Sequence, residues 1–376
     1  MNHLDSEGAE EESGTDRWFR LARKCDRILS GVRPASLRER LDQLASAGID
    51  LDGRTDMYGD GPVAVLEQRV AELLGKPAAV FFPTGTMAQQ VALRCWAQRT
   101  GQQTVALHPQ SHLEVHERRA FTALSGLRGV WPTTEPRPPT AAEVRELDEP
   151  FGTLLLELPQ RDAGFMLPTW DELTATVAEG RQRGARIHFD GARLWETTHH
   201  FGQDLPTIAG LADSVYVSFY KTLGGISGAA LAGDADFVAS ARAWRHRYGG
   251  NVFQQWPAAL SALIGLDTEL PRIPSYVEHA AVVAGALSQL PGAVVHPEVP
   301  HTHQFQLWLP YPAEALNNAT YRLAEEENTW FAARWTDHPP TPYSMAEITI
   351  ATPALSLSAE MVTSASTAFL SRILVS

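Results

Sequence analysis

SVYVSFYKTLGGISG, the stretch at residues 214–228, joins an apolar segment to a lysine and a glycine-rich turn. In its first half Val215, Val217 and Phe219 alternate with residues 216, 218 and 220. This period of two, in a segment rich in strand-forming residues, predicts a strand ending near Lys221. Such a strand would deliver one amine to a cleft, and Gly224, Gly225 and Gly228 would let the backbone pass close to a group bonded to that amine. The alternative is an ordinary surface lysine beside a turn.

A second segment predicts an anion site. Residues 78–82 favour a buried strand, Pro83 to Thr86 a tight turn, and residues 87–98 a helix. The first amides of a helix lack intrahelical partners and its dipole favours negative charge, so a phosphate would fit at Gly85 and Thr86. The same turn is also compatible with a simple helix cap.

The third segment is RIHFDGAR at residues 186–193. Asp190 at a strand end can hold a cationic ring nitrogen, and Arg193 can hold an anion. Together with Lys221 and a phosphate-binding turn, these residues match the needs of pyridoxal 5'-phosphate (PLP), namely a Schiff-base amine, a carboxylate for the pyridine nitrogen and a phosphate site. A buried Asp190–Arg193 ion pair without a catalytic role is the alternative.

Strands and helices alternate through the first two thirds of the chain. This order predicts an α/β fold with a mostly parallel sheet covered on both faces, and ligands in such folds lie beyond the carboxyl ends of the strands. His112, Asp190 and Lys221 follow predicted strands. After residue 259 long helical stretches and alternating strands predict a smaller α+β domain. The predicted division is a disordered tail at 1–15, a large domain at 16–265 and a small domain at 266–376.

Composition excludes several classes of function. The chain has 376 residues, 44% of them hydrophobic and 20% charged, as in ordinary globular proteins. A net charge of -13 disfavours nucleic acid and anionic membranes as partners. The acidic N-terminus resembles no targeting signal, no apolar run is long enough to span a bilayer, and Cys25 and Cys95 have no metal or disulfide spacing. A reduced, cytoplasmic protein without a metal site is expected, and His199, His200, His301 and His303 are expected to be solvated or core residues.

Over residues 20–290 the chain resembles the threonine aldolase / β-eliminating lyase family of fold type I (aspartate-aminotransferase-like) PLP enzymes. The order and spacing of several short motifs carry the resemblance. They are YGDGP at 58–62, FPTGTMA at 82–88, His112 with Glu117, HFDGAR at 188–193, SFYK at 218–221 and the segment 245–250.

The resemblance implies three catalytic residues. Lys221 would form the Schiff base with PLP and later act as a base. Asp190 would pair with the pyridinium nitrogen, and His112 would stack on the ring and relay the proton of a β-hydroxyl.

It also implies binding residues. Gly85, Thr86 and Ser218 would bind the phosphate, and Arg193 would contribute to the cofactor site and bind the carboxylate of a small amino-acid substrate. Tyr58 and Asp60 would lie near a site built at the subunit interface of a homodimer or homotetramer. The implied reaction is retro-aldol cleavage of a threonine or allo-threonine type substrate to glycine and an aldehyde.

Two departures from the family pattern leave the reaction open. Gln160 stands where the family has a histidine associated with the β-hydroxyl, and is therefore a candidate substrate-binding residue. Glu347 falls near the position of a second carboxylate-binding arginine. A PLP enzyme that catalyses β-elimination or uses an unusual amino-acid-derived substrate is the alternative, followed by a non-catalytic PLP-fold binding protein.

Overall fold

The computed structural model describes residues 14–46, 48 and 50–373. The predicted tail lies outside the described residues except for Gly14 and Thr15, which begin the first helix. The strands are β1 Arg27–Ile28, β2 Ala78–Phe82, β3 Thr104–Ala106, β4 Arg128–Val130, β5 Thr153–Glu157, β6 Arg186–Gly191, β7 Ser214–Ser218, β8 Ala229–Gly233, β9 Val294–His296, β10 Gln304–Leu309, β11 Thr329–Trp330, β12 Thr336–Asp337 and β13 Ser344–Thr349. The α-helices are α1 Gly14–Lys24, α2 Leu37–Ala45, α3 Pro62–Leu73, α4 Gly85–Thr100, α5 His112–Val115, α6 Ala120–Ser125, α7 Ala141–Glu146, α8 Trp170–Gln182, α9 Thr198–Phe201, α10 Leu205–Gly210, α11 Ala235–Arg247, α12 Trp256–Thr268, α13 Ile273–Leu287, α14 Ala313–Glu327 and α15 Ala359–Ile373.

Seven strands form the main sheet, in the order β2-β8-β7-β6-β5-β3-β4. Strand β8 runs antiparallel to both β2 and β7, whereas the pairs from β7 to β4 are parallel. The predicted α/β fold with a mostly parallel sheet is therefore confirmed. The sequence interpretation did not identify β4 or β8, since one has three residues and the other consists of alanine, leucine and glycine, which are weak strand formers.

Burial explains why the central strands are largely apolar, and it shows that the period-two pattern of β7 does not mark one buried and one exposed face. Every residue of β5, β7 and β8 is buried, as expected for strands covered on both faces. In the core, Trp96 of α4 stacks on Phe237 of α11 with 4.6 Å between ring centroids. The apolar strands thus hold a rigid sheet whose edge positions the polar residues that follow each strand.

Helix α4 begins at Gly85, two residues before the predicted start. Thr84 is its N-cap, and the Thr84 hydroxyl accepts a hydrogen bond from the amide of Met87 at 3.3 Å. Gly101 ends the helix in the left-handed conformation. The cap places the helix N-terminus directly after the buried strand β2.

Contacts divide the chain into two compact units. One comprises the described residues of 38–280 and 296–305 and contains the main sheet; the other comprises the described residues up to 37, 281–295 and those from 306 to 373. A four-stranded sheet has the order β12-β13-β10-β9, which agrees with the predicted smaller α+β region. The predicted limits differ from these units because residues up to 37 group with the C-terminal residues, and the division into domains stays a prediction.

A buried ion pair joins α3, β2 and α11. Glu67 accepts a hydrogen bond from the amide of Phe81 at 2.8 Å, and Arg245 donates to the carbonyl of Phe81 at 2.7 Å. The two side chains approach within 3.4 Å, and Arg242 also pairs with Glu67. Both Glu67 and Arg245 are buried, so each charge depends on the other.

We expect Glu67→Ala to lower the free energy of unfolding by about 3–5 kcal/mol, because it leaves the Arg245 guanidinium buried without its carboxylate. Urea denaturation followed by circular dichroism measures this change. Glu72→Ala on the exposed side of the same helix is the control and should change stability by less than about 0.5 kcal/mol. Equal, small effects of both changes would show that the pair does not stabilise the fold.

In the described part of the chain, no helix is both long and apolar enough to cross a membrane. Cys25 and Cys95 are both buried and unpaired. The cytoplasmic location expected from the sequence stays a prediction.

Candidate active site

The register of the main sheet brings acidic residues together at the carboxyl ends of β5 and β6. Glu157 and Asp190 are direct neighbours across these strands, and Tyr216 of β7 is the neighbour of Asp190 on its other side. Strand β7 ends at Ser218, three residues before Lys221, so it stops earlier than the sequence predicted. A turn holds the lysine here, with the amide of Gly224 donating to its carbonyl at 3.0 Å.

A cavity of about 280 Å³ opens at the N-terminus of α4. Gly85 is buried there, and a Cβ at this position would overlap the Tyr216 hydroxyl. A Cβ at Gly228 would likewise overlap the ring of Phe81. The cavity is lined by Pro83, Thr84, Gly85, Thr86, His112, Glu117, Tyr216, Tyr220, Ile226, Ser227 and Gly228.

His112 begins α5, just after β3, and reaches this cavity. Its amide donates to Glu157 Oε2 at 2.8 Å, and its Nδ1 lies 3.5 Å from Glu117 Oε1. Burial lowers the pKa of His112, but the hydrogen bond to Glu117 and the charge of Asp190 outweigh it and raise the pKa overall. The side-chain amide of Gln90 donates to Glu117 at 3.1 Å. It thereby holds the carboxylate that orients the imidazole of His112.

Asp190 and Lys221 affect each other's protonation. Burial raises the pKa of Asp190, although the positive charges of Lys221 and His112 oppose the change. Burial also lowers the pKa of Lys221 to about 8, assisted by the nearby guanidinium of Arg193 and opposed by Asp190 and Glu157. An amine with this pKa is partly unprotonated near neutral pH, as a nucleophile or base requires.

Glu157 shares this environment. It is buried, and burial together with the charge of Asp190 raises its pKa to about 7, while hydrogen bonds from the amides of His112 and Arg161 act in the opposite direction. Two carboxyl groups on neighbouring strands are harder to ionise together than singly. The two buried acidic side chains at this edge of the sheet therefore favour a positively charged group beside them.

Arg193 lies just beyond β6 with its guanidinium 5.3 Å from the centre of the Phe165 ring. Among the described residues, no hydrogen-bond partner is present for its buried Nε. Ser218 is buried at the end of β7, and its carbonyl accepts a hydrogen bond from Trp195 at 3.2 Å. The binding of an anion by Arg193 stays a prediction.

Three predicted substrate residues have other contacts. Tyr58 is 57% exposed and packs against Phe253 with 5.3 Å between ring centroids, while Asp60 pairs with Arg54 at 2.7 Å. Gln160 is buried, and its side-chain amide donates to the carbonyl of Gln110 at 2.9 Å. The single chain therefore does not bring Tyr58 or Asp60 into the cavity, and their role at the site stays a prediction.

Residues without a predicted role complete the site. Glu157 lies at the carboxyl end of a strand, as Asp190 does. The rule that ligands lie beyond the carboxyl ends of parallel strands could therefore have identified Glu157 as well. Glu117 was part of the recognised pattern but had no assigned role, and Tyr216 was only a strand residue. Their contribution depends on register and on side-chain contacts between distant segments.

Three of the four flagged histidines have structural partners. His200 bonds to the carbonyl of Pro168 at 3.0 Å, and the amide of Leu167 donates to His301 at 3.0 Å. His303 pairs with Glu196 at 3.3 Å. In the described ranges, no three histidine, cysteine or acidic residues are grouped so as to hold a metal ion.

The chain is similar to known proteins in both sequence and structure. The family model of the beta-eliminating lyases matches residues 44–307. The low-specificity L-threonine aldolase of Escherichia coli K12 is 30% identical over 241 residues, covering 62% of this chain and 72% of the relative.

Two solved structures are similar over 95% of this chain and 99% of their own. A protein of Listeria monocytogenes provisionally assigned as an L-allo-threonine aldolase has a TM-score of 0.88 and 32% identity. A protein of Exiguobacterium, provisionally assigned as an aromatic amino acid beta-eliminating lyase/threonine aldolase, has a TM-score of 0.88 and 35% identity.

Proposed function

Because the chain belongs to the beta-eliminating lyase family, we propose that it is a PLP-dependent lyase that cleaves a β-hydroxy-α-amino acid of the threonine or allo-threonine type to glycine and an aldehyde. The similarity to threonine aldolases supports this choice of reaction. The arrangement that carries it is the convergence of Lys221, Asp190 and His112 beside the cavity at the N-terminus of α4.

The residues present fit PLP, the cofactor of the family and of its structural neighbours. The free amides at the start of α4 and the close approach at Gly85 suit a phosphate. The buried carboxyl of Asp190 suits a protonated ring nitrogen, because a neighbouring positive charge would offset the cost of burying it. Lys221 would hold the aldehyde carbon, and Thr86 and Ser218 would contribute to holding the phosphate.

When bound, PLP supplies an electron sink for the charge left on Cα when a bond to Cα breaks. Asp190 maintains the positive charge that makes such a sink effective. Lys221, with its pKa of about 8, holds or releases a proton near neutral pH and so acts as nucleophile and base.

His112 would accept the proton of the β-hydroxyl. Glu117 faces its Nδ1 at 3.5 Å and stabilises the positive charge that the imidazole gains. Arg193 binds the substrate carboxylate with its planar guanidinium, while Phe165 limits the rotation of this side chain. Together these residues orient the substrate and move the proton that accompanies cleavage.

A two-step experiment tests the proposal. The purified protein with PLP should show a visible absorption band that borohydride removes. L-threonine, L-allo-threonine and L-serine are then supplied, and acetaldehyde, glycine, pyruvate and ammonia are assayed. Acetaldehyde with equal glycine supports retro-aldol cleavage, whereas a protein that never takes up PLP contradicts the proposal.

β-Elimination, or action on an unusual substrate, is the second candidate. The side-chain amide of Gln160 binds the carbonyl of Gln110 and leaves this position without the histidine expected for the β-hydroxyl. Pyruvate and ammonia as the main products from L-serine would favour elimination.

We further propose a homodimer or homotetramer with its active site at the subunit interface, in the cytoplasm. Exposed apolar side chains support this arrangement, since Tyr58 and Phe253 pack together on the surface beside Met57. Sedimentation equilibrium of the holoenzyme should give the mass of two or four chains, and a monomer at micromolar concentration would contradict it.

A further inference from the structure

Two consecutive side chains reach the chain on either side of Lys221. They belong to a 3-10 turn of three residues that lies between β6 and α9. The indole Nε1 of Trp195 donates to the carbonyl of Ser218 at 3.2 Å, three residues before the lysine. The hydroxyl of Thr222, one residue after the lysine, donates to Oε1 of Glu196. One short element therefore holds the chain just before and just after Lys221.

The lysine itself lies in a closed turn, residues 219–225, which is named here the lysine turn. The amide of Gly225 donates to the carbonyl of Phe219 at 2.8 Å, and a Cβ at Gly225 would overlap that carbonyl. The ends of the turn thus approach each other as closely as a glycine allows. Because the turn closes so tightly, a side-chain contact at Thr222 also restricts the neighbouring Lys221.

Other side-chain contacts of this region lie further from the lysine. Arg40 donates to the carbonyl of Gly224 at 3.0 Å, and the hydroxyl of Ser261 on α12 accepts from the amide of Ile226 at 2.9 Å. These two contacts are three and five residues after the lysine. Compared with them, the contact of Thr222 lies adjacent to the lysine and has the most direct effect on its position.

Glu196 is an ionised acceptor in the protein interior. Its side chain is fully buried, and Nε2 of His303 lies 3.3 Å from Glu196 Oε1 and 3.3 Å from the Thr222 hydroxyl. Burial raises the pKa of Glu196, but the charge and hydrogen bond of His303, together with the charge of Arg193, outweigh it and lower the pKa overall. A carboxylate only accepts, so the Thr222 hydroxyl donates to it in a charge-assisted hydrogen bond.

The contacts of this carboxylate are one-sided. Oε1 of Glu196 receives both Thr222 and His303, whereas among the described residues Oε2 has no hydrogen-bond partner although it is buried. A buried acceptor without a partner costs free energy of folding. This cost favours a functional reason for a carboxylate at this position, and its contact with Thr222 indicates where that function lies.

The amine of Lys221 depends on where the lysine turn holds it. Burial has the largest effect and lowers its pKa to about 8, and the charged groups that change the pKa further all lie outside the turn. They are Arg193, Asp190, Glu157 and Arg161. A looser turn would admit water to the amine and return its pKa toward the ordinary value of a lysine.

We propose that Glu196 is a positioning residue that acts through the Thr222 hydroxyl to hold the Lys221 amine where PLP attachment requires it. The proposal rests on the proposed PLP-dependent function and assigns two residues that position its lysine. Neither side chain exchanges a proton with the substrate, and the Thr222 hydroxyl keeps its hydrogen throughout. The hydroxyl, rather than the bulk of Thr222, is the group that the proposal requires.

Kinetics of the holoenzyme on L-threonine and L-allo-threonine provides the first test. Thr222→Val, which removes the hydroxyl and keeps the branched shape, should lower kcat by about 10-fold or more and change KM by less than about three-fold, because the nucleophile is displaced while the substrate contacts remain. Thr222→Ser keeps the hydroxyl and should retain most of the activity. Glu179→Gln, a buried glutamate paired with Arg145 on α8, is the control.

Competitive labelling of the full chain without PLP gives a readout that does not depend on turnover. Acetic anhydride is applied at a series of pH values, and peptide mass spectrometry compares Lys221 with the exposed Lys24. Thr222→Val should raise the midpoint of Lys221 labelling by about 1 pH unit, since an amine that gains water loses the effect of burial. Thr222→Ser should keep the wild-type midpoint. An unchanged midpoint in Thr222→Val overturns the proposal.

A double-mutant cycle tests whether Glu196 acts through Thr222. Once Thr222→Val is present, adding Glu196→Ala should change the labelling midpoint and kcat by less than about two-fold further, because the contact is already lost. Additive effects would show that Glu196 acts by another route. If Glu196→Ala does not fold, the contrast between Thr222→Val and Thr222→Ser decides, and equal losses in both overturn the proposal.

The outcomes separate this proposal from the lyase function. Cleavage of threonine with unchanged kcat and labelling midpoint in Thr222→Val supports the lyase function and overturns the role of Glu196. A wild-type protein that takes up no PLP contradicts the proposed function. A raised labelling midpoint in Thr222→Val would then still support the positioning of the Lys221 amine by this contact.

Discussion

Lys221→Ala is expected to lower kcat by about 1000-fold or more, because it removes the nucleophile and base together. The amine of Lys221 is the one whose pKa falls to about 8 beside Asp190 and Arg193. The variant should also show no borohydride-stable attachment of PLP. Steady-state kinetics and mass spectrometry of proteolytic peptides measure the two effects.

The sequence makes this experiment unusually specific. The chain has only three lysines, Lys24, Lys76 and Lys221. Lys24→Ala at the exposed end of α1 is the matched control and should retain both attachment and activity. Labelling of Lys24 or Lys76 in the wild-type protein would show that Lys221 is not the attachment site.

Asp190→Asn is expected to lower kcat by about 100-fold or more, since a neutral amide no longer maintains a positive charge opposite it. Asp190→Glu, which keeps the charge but displaces it, should recover part of the loss. Kinetics with saturating PLP separates this effect from weaker cofactor binding. Full activity in Asp190→Asn would rule out the proposed partnership with the ring nitrogen.

Stability provides a second measurement for Asp190. Its pKa is raised in the folded chain by burial, so the stability it contributes is complete at pH values below its unfolded pKa and is lost as pH rises through the folded pKa. At neutral pH the ionised carboxyl thus opposes folding of the cofactor-free protein. Asp190→Asn without PLP should have a thermal midpoint equal to or above that of the wild type, whereas added PLP should stabilise the wild type more than the variant.

Much of the fold and part of the site were predictable from local patterns. Local strand signals identified β2, β5, β6 and β7, with a period-two alternation as the signal for β7, and the rule that ligands lie beyond parallel strands selected Asp190 and Lys221. The turn at Gly85 and Thr86 was recognised because helix caps have a local signature. The short strand β4 and the alanine-rich β8 carry no such signal.

Other features required the folded chain. The predicted roles of Tyr58 and Asp60 depend on a second subunit, and neither residue enters the cavity of the single chain. Gln160 was considered for its place in a motif, but its side chain donates to the carbonyl of Gln110, and its neighbour Arg161 contacts His116. No pattern in the sequence around Phe165 predicts its left-handed backbone conformation or its contact with Arg193.

Local sequence patterns predicted a mostly parallel α/β sheet in which a lysine follows an apolar strand. They also predicted a carboxylate and a candidate anion-binding turn at the ends of other strands. Periodicity, caps and glycine turns are local, so they can be read along the chain. Tertiary structure alone decided that Glu157 lies beside Asp190, that His112 faces Glu117 and that Lys221 has a pKa of about 8. Burial and the charges of residues distant in sequence set these properties, and both exist only once the chain has folded.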